Sequence, residues 1–200
     1  MEVIRGKTSQ HLDWTGLRAR IKNYEHVILD LGTGDGRYVR TLAVEHPGWF
    51  VIGVDACREN LRASSRLDLP NVLFVIANAQ ELPQEFGGLI SHVTINFPWG
   101  SLLKSLLTGD AVFLEGLARI SQPHAQIDIR LNAGALAEAG SSLEVGAQII
   151  YDRMDQSGWT LKAPCLMQSM TLRTFPTTWA KRLTYGRDPR ALVIHGHLAK

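Results

Sequence analysis

The chain has 200 residues, 45% hydrophobic and 20% charged, with a formal net charge of +2. This is enough for one domain with a proper core, so residues 1–200 are read as a single domain. The longest apolar runs are only strand-length, which excludes a membrane span, and two cysteines, Cys57 and Cys165, are too few for a disulfide framework.

In chain order, Val3–Arg5 and Lys7–Ser9 around Gly6 are expected to form a small hairpin ahead of the domain, within residues 1–10. Strands are predicted at His26–Leu31, Phe50–Asp55, Val72–Ala77, Ser91–Asn96, Gln126–Leu131, Thr160–Cys165 and Ala191–Leu198. Helices are predicted at Arg37–Glu45, Arg58–Arg66, Leu102–Leu107, Ala111–Ile120 and Leu143–Ser157, with a short helix carried on a loop around Thr177–Tyr185. Alternating strands and helices imply an α/β fold, a mostly parallel sheet with helices on both faces.

The run Val27–Gly36, VILDLGTGDG, is an apolar strand that leads through Asp30 into glycines at 32, 34 and 36. The second apolar strand ends in another acid, Asp55. Glycines let the backbone approach a ligand closely, and an acid at the end of the second strand is placed to bind ribose hydroxyls. The spacing departs from the dinucleotide fingerprint, and no Lys-Ser/Thr follows as in a Walker loop. Asp30 and Asp35 in the loop would repel a pyrophosphate. They suit a ligand with a cationic amino group and a sulfonium. The D-x-G-x-G-x-G pattern with its strand-end acid resembles the S-adenosylmethionine (SAM) site of class I methyltransferases. That resemblance implies a Rossmann-like sheet of seven strands, the last of them antiparallel.

Charge is segregated. Residues 1–22 carry five bases and two acids, residues 23–161 nine bases and sixteen acids, and residues 162–200 seven bases and one acid. Basic ends around an acidic middle fit either an anionic partner meeting part of the surface or an ordinary solvated surface. His195 and His197 share a strand face but lack further ligands, so no metal site is expected. The two thiols are read as buried or half-buried in a reducing cytoplasm. The first ten residues lack an apolar signal core, and no large exposed apolar stripe is evident, so a cytoplasmic monomer is expected.

The fourth strand runs into Asn96-Phe97-Pro98-Trp99-Gly100. Ligands of open α/β sheets bind beyond the carboxyl ends of the strands. Trp99 there either packs the core or offers a ring on which a base stacks, worth about 1–3 kcal/mol. A second tryptophan lies in Thr177-Thr178-Trp179-Ala180-Lys181-Arg182-Leu183. Bases beside an aromatic suit nucleic acid, with cations on phosphates and a ring under an unstacked base. The same pattern also fits an amphipathic helix that buries Trp179 and Leu183.

Taken together, LDLGTGDG, then FPWGSLL at Phe97–Leu103, then WAKRL at Trp179–Leu183 and Gly196-His197 resemble one family. It comprises the aminoglycoside-resistance 16S ribosomal RNA methyltransferases acting on N1 of the decoding A-site adenine. The resemblance implies that the 30S subunit is the partner and that Trp99 and Trp179 sandwich a flipped adenine. Phe97, Pro98 and Ser101 would shape the methyl-transfer site, with Thr177 beside it. Asp30, Gly32, Gly34 and Asp55 would hold SAM, with Ala79 and Gln80 near its adenine. Lys181 and Arg182 would face RNA. Lys7, Arg66, Arg187 and Arg190 complete the candidate RNA-binding set.

Three departures stand against the family pattern. The family's longer linker, rich in lysine and glycine, is reduced here to Ser64–Pro70, with Arg66 as its one base. Gln80 stands where close relatives carry an acid. No Lys or Arg occurs in Leu131–Asp152. A methyltransferase acting on another RNA, such as tRNA, or on a small molecule is the alternative.

Overall fold

The computed structural model describes residues 1–178, 180 and 188–199. β1 (Glu2–Arg5) and β2 (Thr8–His11) form a hairpin through the Gly6 turn, as the sequence predicts. It is not a separate extension, because β1 pairs antiparallel with β5 (Val72–Ile76) and lengthens the main sheet. Val3 and Ile4 supply the reason: both are buried against the core.

β3 (His26–Leu31), β4 (Trp49–Asp55), β5, β6 (Ile90–Asn96) and β7 (Ser121–Asn132) are mutually parallel neighbours. β8 (Trp159–Leu161), β9 (Cys165–Leu166) and β10 (Ala191–Leu198) complete the sheet, in the order β2-β1-β5-β4-β3-β6-β7-β10-β8. β10 enters antiparallel to β7, β8 and β9. The chain moves outward in one direction from β3 to β5 and in the other from β6 onward. The gap beyond the ends of β3 and β6 is therefore a topological switch point, where open α/β sheets bind ligands.

Alternation along each strand divides the side chains between two faces. Val27, Leu29 and Leu31 of β3 join Ile127, Ile129 and Leu131 of β7 in the larger core. That core is covered by α1 (Trp14–Ile21), α4 (Gly100–Thr108), α5 (Ala111–Ile120), α6 (Ala133–Glu138) and α7 (Leu143–Gln156). On the other face Ile28, Val51 and Phe74 pack against α2 (Arg37–Glu45) and α3 (Arg58–Leu61). Phe97 and Val193 pack there against Leu172 of α8 (Ser169–Thr174).

Several boundaries differ from expectation. The predicted helix Arg58–Arg66 stops at Leu61 and resumes only as a 3-10 turn at Ser64–Arg66. The predicted strand Thr160–Cys165 splits into β8 and β9, because Pro164 has no N–H to offer the β10 edge between them. β7 begins five residues early, through a register shift opposite Ile90 and His92 and a left-handed His124 (φ 62°). The unpredicted α1 buries only Leu17 and Ile21, so its apolar stripe is too thin to read; Asp13, accepting the Gly16 N–H at 2.8 Å, was its legible start signal. Both cysteines are exposed rather than buried. Cys57 precedes α3 beyond the end of β4, and Cys165 lies on a two-residue strand with no layer over it. No helix among the described residues is long and apolar enough to cross a membrane, and among them no group of three His, Cys, Asp or Glu could hold a metal ion.

One row of register partners on the α2 face is polar where a central sheet is normally apolar: Asp30 of β3, Thr94 of β6, Asp128 of β7 and His195 of β10. Burying such groups is costly unless each is hydrogen-bonded. Here Thr94 Oγ1 donates to Asp30 at 2.8 Å, and His195 Nδ1 lies 2.5 Å from Asp128 Oδ1. Arg130 Nη2 donates to Asp128 Oδ2 at 3.0 Å, and His92 Nε2 approaches the same oxygen at 3.4 Å. Burial alone would push Asp128 up, but His92, Arg130 and His195 outweigh it and hold its carboxyl well below the usual range.

Two predictions follow from this packing. Asn71 Nδ2 donates to the carbonyls of Ala43 (2.8 Å) and Trp49 (3.0 Å), tying the end of α2 to β4. Asn71→Ala leaves both carbonyls short of a donor and is expected to cost about 2 kcal/mol in urea unfolding; a loss below about 0.5 kcal/mol would contradict this role. Asp128 has a depressed folded-state pKa, so its stabilisation is full above the unfolded value of about 4 and is lost as pH falls through the folded value. Asp128→Asn is expected to cost about 2–3 kcal/mol at pH 7, with the gap to the parent narrowing at pH 3. A gap that is unchanged at pH 3 would refute the linkage.

Candidate active site

The loop after β3 turns back on itself through three left-handed residues, Gly32 (φ 74°), Gly34 (φ 57°) and Gly36 (φ 70°). Two of the three are also sterically closed to a side chain: a Cβ on Gly32 would lie 2.7 Å from Leu102, and one on Gly36 would lie 2.6 Å from Phe74. A Cβ on Gly34 would meet no atom within 4 Å, so this glycine presents bare backbone to open space.

That space is a cleft of about 270 Å³ lined by Asp30, Gly32, Thr33, Gly34, Asp35, Asn60, Asn96, Thr177 and Thr178. Asp55, at the end of β4, anchors its rim. Its Oδ2 accepts the Gly34 N–H at 2.8 Å, and its Oδ1 accepts the Cys57 N–H at 2.8 Å and Asn60 Nδ2 at 3.3 Å. A carboxylate offers about four lone-pair sites, so one site remains on Oδ2, and a ribose hydroxyl pair is accommodated when the longer bond from Asn60 also gives way. Asp30 is 2% exposed. Burial raises its carboxyl above the usual carboxylate range, and hydrogen bonds from Thr94 and Asn96 and the charge of Arg130 oppose this without cancelling it.

The cleft suits SAM on its own chemistry. Among the described residues its lining combines carboxylates and open glycine backbone with no basic side chain for a pyrophosphate, a set that suits a cationic amino group. Ala79 and Gln80 stand apart from this lining, on a 3-10 turn at Ala79–Glu81. The Gln80 amide donates to Ser105 Oγ of α4 at 3.0 Å, a bond a carboxylate could make only by accepting from the hydroxyl.

Beside the cleft, β6 ends in the expected aromatic segment. Phe97 takes φ 54°, a conformation costing a non-glycine residue about 1–3 kcal/mol. It is held there by its N–H, which donates to Arg130 O at 2.7 Å, and by its buried ring, edge-on to Phe175 at 5.6 Å. The turn buries Pro98 and throws Trp99 outward at the N-cap of α4, 39% exposed. Trp99 lines a hollow of about 440 Å³ with Gly100, Leu103, Lys104, Ala135 and Glu138. Ser101 is exposed on the first turn of α4.

Thr177 and Thr178 reach the cleft from the far end of the chain. Thr178 Oγ1 donates to Asp35 Oδ2 at 2.6 Å, which joins the segment before Trp179 to the glycine loop. Trp179, Lys181, Arg182 and Arg187 lie outside the described residues. Lys7 and Arg66 are exposed, and their segments are tied by a 2.9 Å bond from the Gly6 N–H to Ser65 Oγ. Arg190 is engaged by Asp188 at 2.8 Å and Glu144 at 2.6 Å, so a phosphate would have to compete for it.

The sequence reading missed Asn60, Asn96, Thr178 and Arg130 as members of this constellation. A signal did exist for Arg130: two charges at alternate positions of an otherwise apolar strand, Gln126–Leu131, must face a buried layer and so require partners.

Comparison with known proteins agrees with this geometry. The family profile described as NpmA, 16S rRNA (adenine(1408)-N(1))-methyltransferase, matches residues 2–198. A curated Escherichia coli 16S rRNA (adenine(1408)-N(1))-methyltransferase is 28% identical over the whole of both chains. The crystal structure of the 16S rRNA methyltransferase KamB superposes with a TM-score of 0.91 at 27% identity, covering all of both chains. The W203A variant of the Catenulisporales acidiphilia 16S rRNA (adenine(1408)-N(1))-methyltransferase, crystallised with its cosubstrate SAM, superposes with a TM-score of 0.88 at 25% identity, covering 100% of this chain and 97% of that one. A glycine-loop cleft at the switch point, an aromatic turn beside it and a profile match over nearly the full length lead to one conclusion: the chain belongs to the 16S rRNA (adenine(1408)-N(1))-methyltransferase family.

Proposed function

We propose that this chain methylates N1 of adenine 1408 of 16S rRNA in the 30S subunit, using SAM, and thereby confers aminoglycoside resistance from the cytoplasm. One juxtaposition carries the residue-level reading: the Phe97–Trp99 turn leaves β6 beside the cleft, and the threonines that precede Trp179 line that same cleft.

Bound SAM supplies an electrophilic methyl group, which the N1 lone pair takes in line with the departing sulfur. No side chain has to remove a proton first, because that lone pair is already available, and the exocyclic amino proton leaves to water afterwards. The protein's work is placement. Asp30 receives the amino group of the cofactor, the bare backbone of Gly32 and Gly34 lets it come close, and Asp55 takes the ribose hydroxyls. Gln80 and Ala79 bound the adenine end. Trp99 and Trp179 hold the flipped base between them, and the rigid Phe97-Pro98 turn with Ser101 and Thr177 sets its depth. Holding N1 about 3 Å from the methyl group supplies several kcal/mol through orientation. The rings further favour the charge that arrives on the base, by about 0.5–2 kcal/mol.

On the outer surface Lys7 and Arg66 form a basic pair on tied segments, which stands in for a longer basic linker. Lys181, Arg182 and Arg187 extend RNA contact around Trp179, with Arg190 at the margin.

Trp99→Ala and Trp179→Ala are each expected to keep SAM affinity within about twofold by calorimetry and to lose at least about a hundredfold in methylation of 30S subunits. Primer extension on 16S rRNA reads the modified base, and kanamycin and apramycin resistance of the expressing cell reads its consequence. Full methylation by both variants would refute the sandwich, and methylation of free tRNA but not of 30S subunits would replace the ribosomal target. Lys7→Ala with Arg66→Ala is expected to weaken 30S binding about tenfold and to flatten its salt dependence by about two phosphate contacts, with SAM affinity unchanged. An unaltered salt slope would remove the pair from the RNA surface.

A further inference from the structure

Asp30 is a buried carboxylate whose Oδ1 accepts two hydrogen bonds, from Thr94 Oγ1 and from Asn96 Nδ2, each at 2.8 Å. The second bond depends on which way the Asn96 amide faces. Reversed, its carbonyl oxygen would point at the carboxylate and repel it. A single group sets the orientation: Arg130 Nη1 donates to Asn96 Oδ1 at 3.0 Å. A guanidinium has donors and no acceptor, so only the amide oxygen can face it.

Arg130 is itself held on three sides. Nη2 donates to Asp128, the guanidinium lies over the Phe175 ring at 5.0 Å, and its side chain is 13% exposed. Phe175 begins the segment that leads to Thr177 and Thr178 in the cleft. The same guanidinium therefore touches the strand end that carries Trp99 and the segment that leads to Trp179.

We propose that Arg130 is a positioning residue for the cofactor site: it locks the Asn96 amide toward Asp30, so that the carboxylate keeps its donor and is held in place for the amino group of SAM. The inference rests on the reading above that Asp30 receives that amino group. Among the described residues, the groups facing Asp30 from the packed elements leave Arg130 as the source of positive charge that acts on it. α2 contributes Tyr38, whose hydroxyl burial pushes up to about 12, so it stays neutral. β7 contributes Asp128, which is anionic, and the loop contributes Asp35, also an acid. His92 of β6 and His195 of β10 lie against Asp128. Without Arg130, Asp30 would face other acids with its amide donor unanchored, and its carboxyl would rise further than burial already takes it.

The test is calorimetric SAM binding from pH 6.5 to 9, expressed as the ratio of variant to parent Kd at each pH so that the titration of SAM itself cancels. Arg130→Met is expected to bind about tenfold more weakly at pH 6.5 and to recover to within about twofold at pH 9, as Asp30 ionises. Arg130→Lys, which keeps the charge, is expected to show a pH-independent ratio. Parent-like affinity of Arg130→Met at every pH, or a loss that is the same at every pH, overturns the proposal. If Arg130→Met does not fold by circular dichroism, Asn96→Leu carries the same expectation and the same refutation, because it removes the donor to Asp30. Asp30→Asn separates the two layers. Parent-like binding by Asp30→Asn overturns the placement of the amino group and this proposal with it, whereas weak binding by Asp30→Asn beside an unaffected Arg130→Met overturns the role of Arg130 alone.

Discussion

A carboxylate buried at the end of a central parallel strand is the constraint around which this protein is arranged. In water Asp30 would be solvated; here it is 2% exposed, and desolvating it costs several kcal/mol unless the protein replaces the lost water. The replacement comes from across the sheet. Thr94 and Asn96 on β6 donate to it, Arg130 on β7 anchors Asn96, and Asp128 anchors Arg130. Each link is possible because parallel pairing brings Asp30, Thr94 and Asp128 into one register row. A slip of one residue in β6 or β7 would turn these groups into the apolar core and leave Asp30 without donors.

The strand order converts that buried acid into a site. β3 and β6 are adjacent, yet their chains leave in opposite directions across the sheet. Their ends open a gap that the glycine loop enters from one side and the Phe97–Trp99 turn from the other. Both turns use left-handed backbone, at Gly32, Gly34 and Gly36 on one side and at Phe97 on the other. At Phe97 the cost falls on a residue with a side chain, and the ring repays it by closing the smaller core with Phe175 and Leu172. The result is a cleft bounded by rigid elements, which suits a reaction whose barrier is lowered mainly by orientation.

The hairpin corner of the sheet follows a different logic. The Ser64–Pro70 linker ahead of β5 is short and carries one base and one acid, but it packs against the hairpin turn through Gly6 and Ser65. Bases from two distant parts of the chain therefore share one surface. Arg5 is paired with Asp68 at 3.0 Å, while exposed Lys7, Arg66 and the neighbouring Arg20 carry no ion pair among the described residues.

The cofactor class was legible from the chain alone, because its signals are local. An apolar strand, an acid, glycines on alternate positions and a second strand-end acid occupy fewer than thirty consecutive residues, counted roughly along one β-α-β unit. The five central strands were also legible, since Val- and Ile-rich runs buried on both faces resemble little else. Short elements were not. α1 buries two side chains, and β8 and β9 exist because β10 offers them an edge. The two tryptophans could be named from sequence as core or platform; the Phe97 turn throws Trp99 outward and so keeps it from the core, while Trp179 lies outside the described residues. Nor could residue order alone link Arg130 through Asn96 to Asp30 or join Thr178 to Asp35, since these partners lie about a hundred residues or more apart along the chain, a separation that only chain folding closes. Sequence by itself determined what the loop can bind. Tertiary structure decided which side chains surround and hold its buried acid, because burial and hydrogen-bond geometry are properties of the packed sheet and not of any one strand.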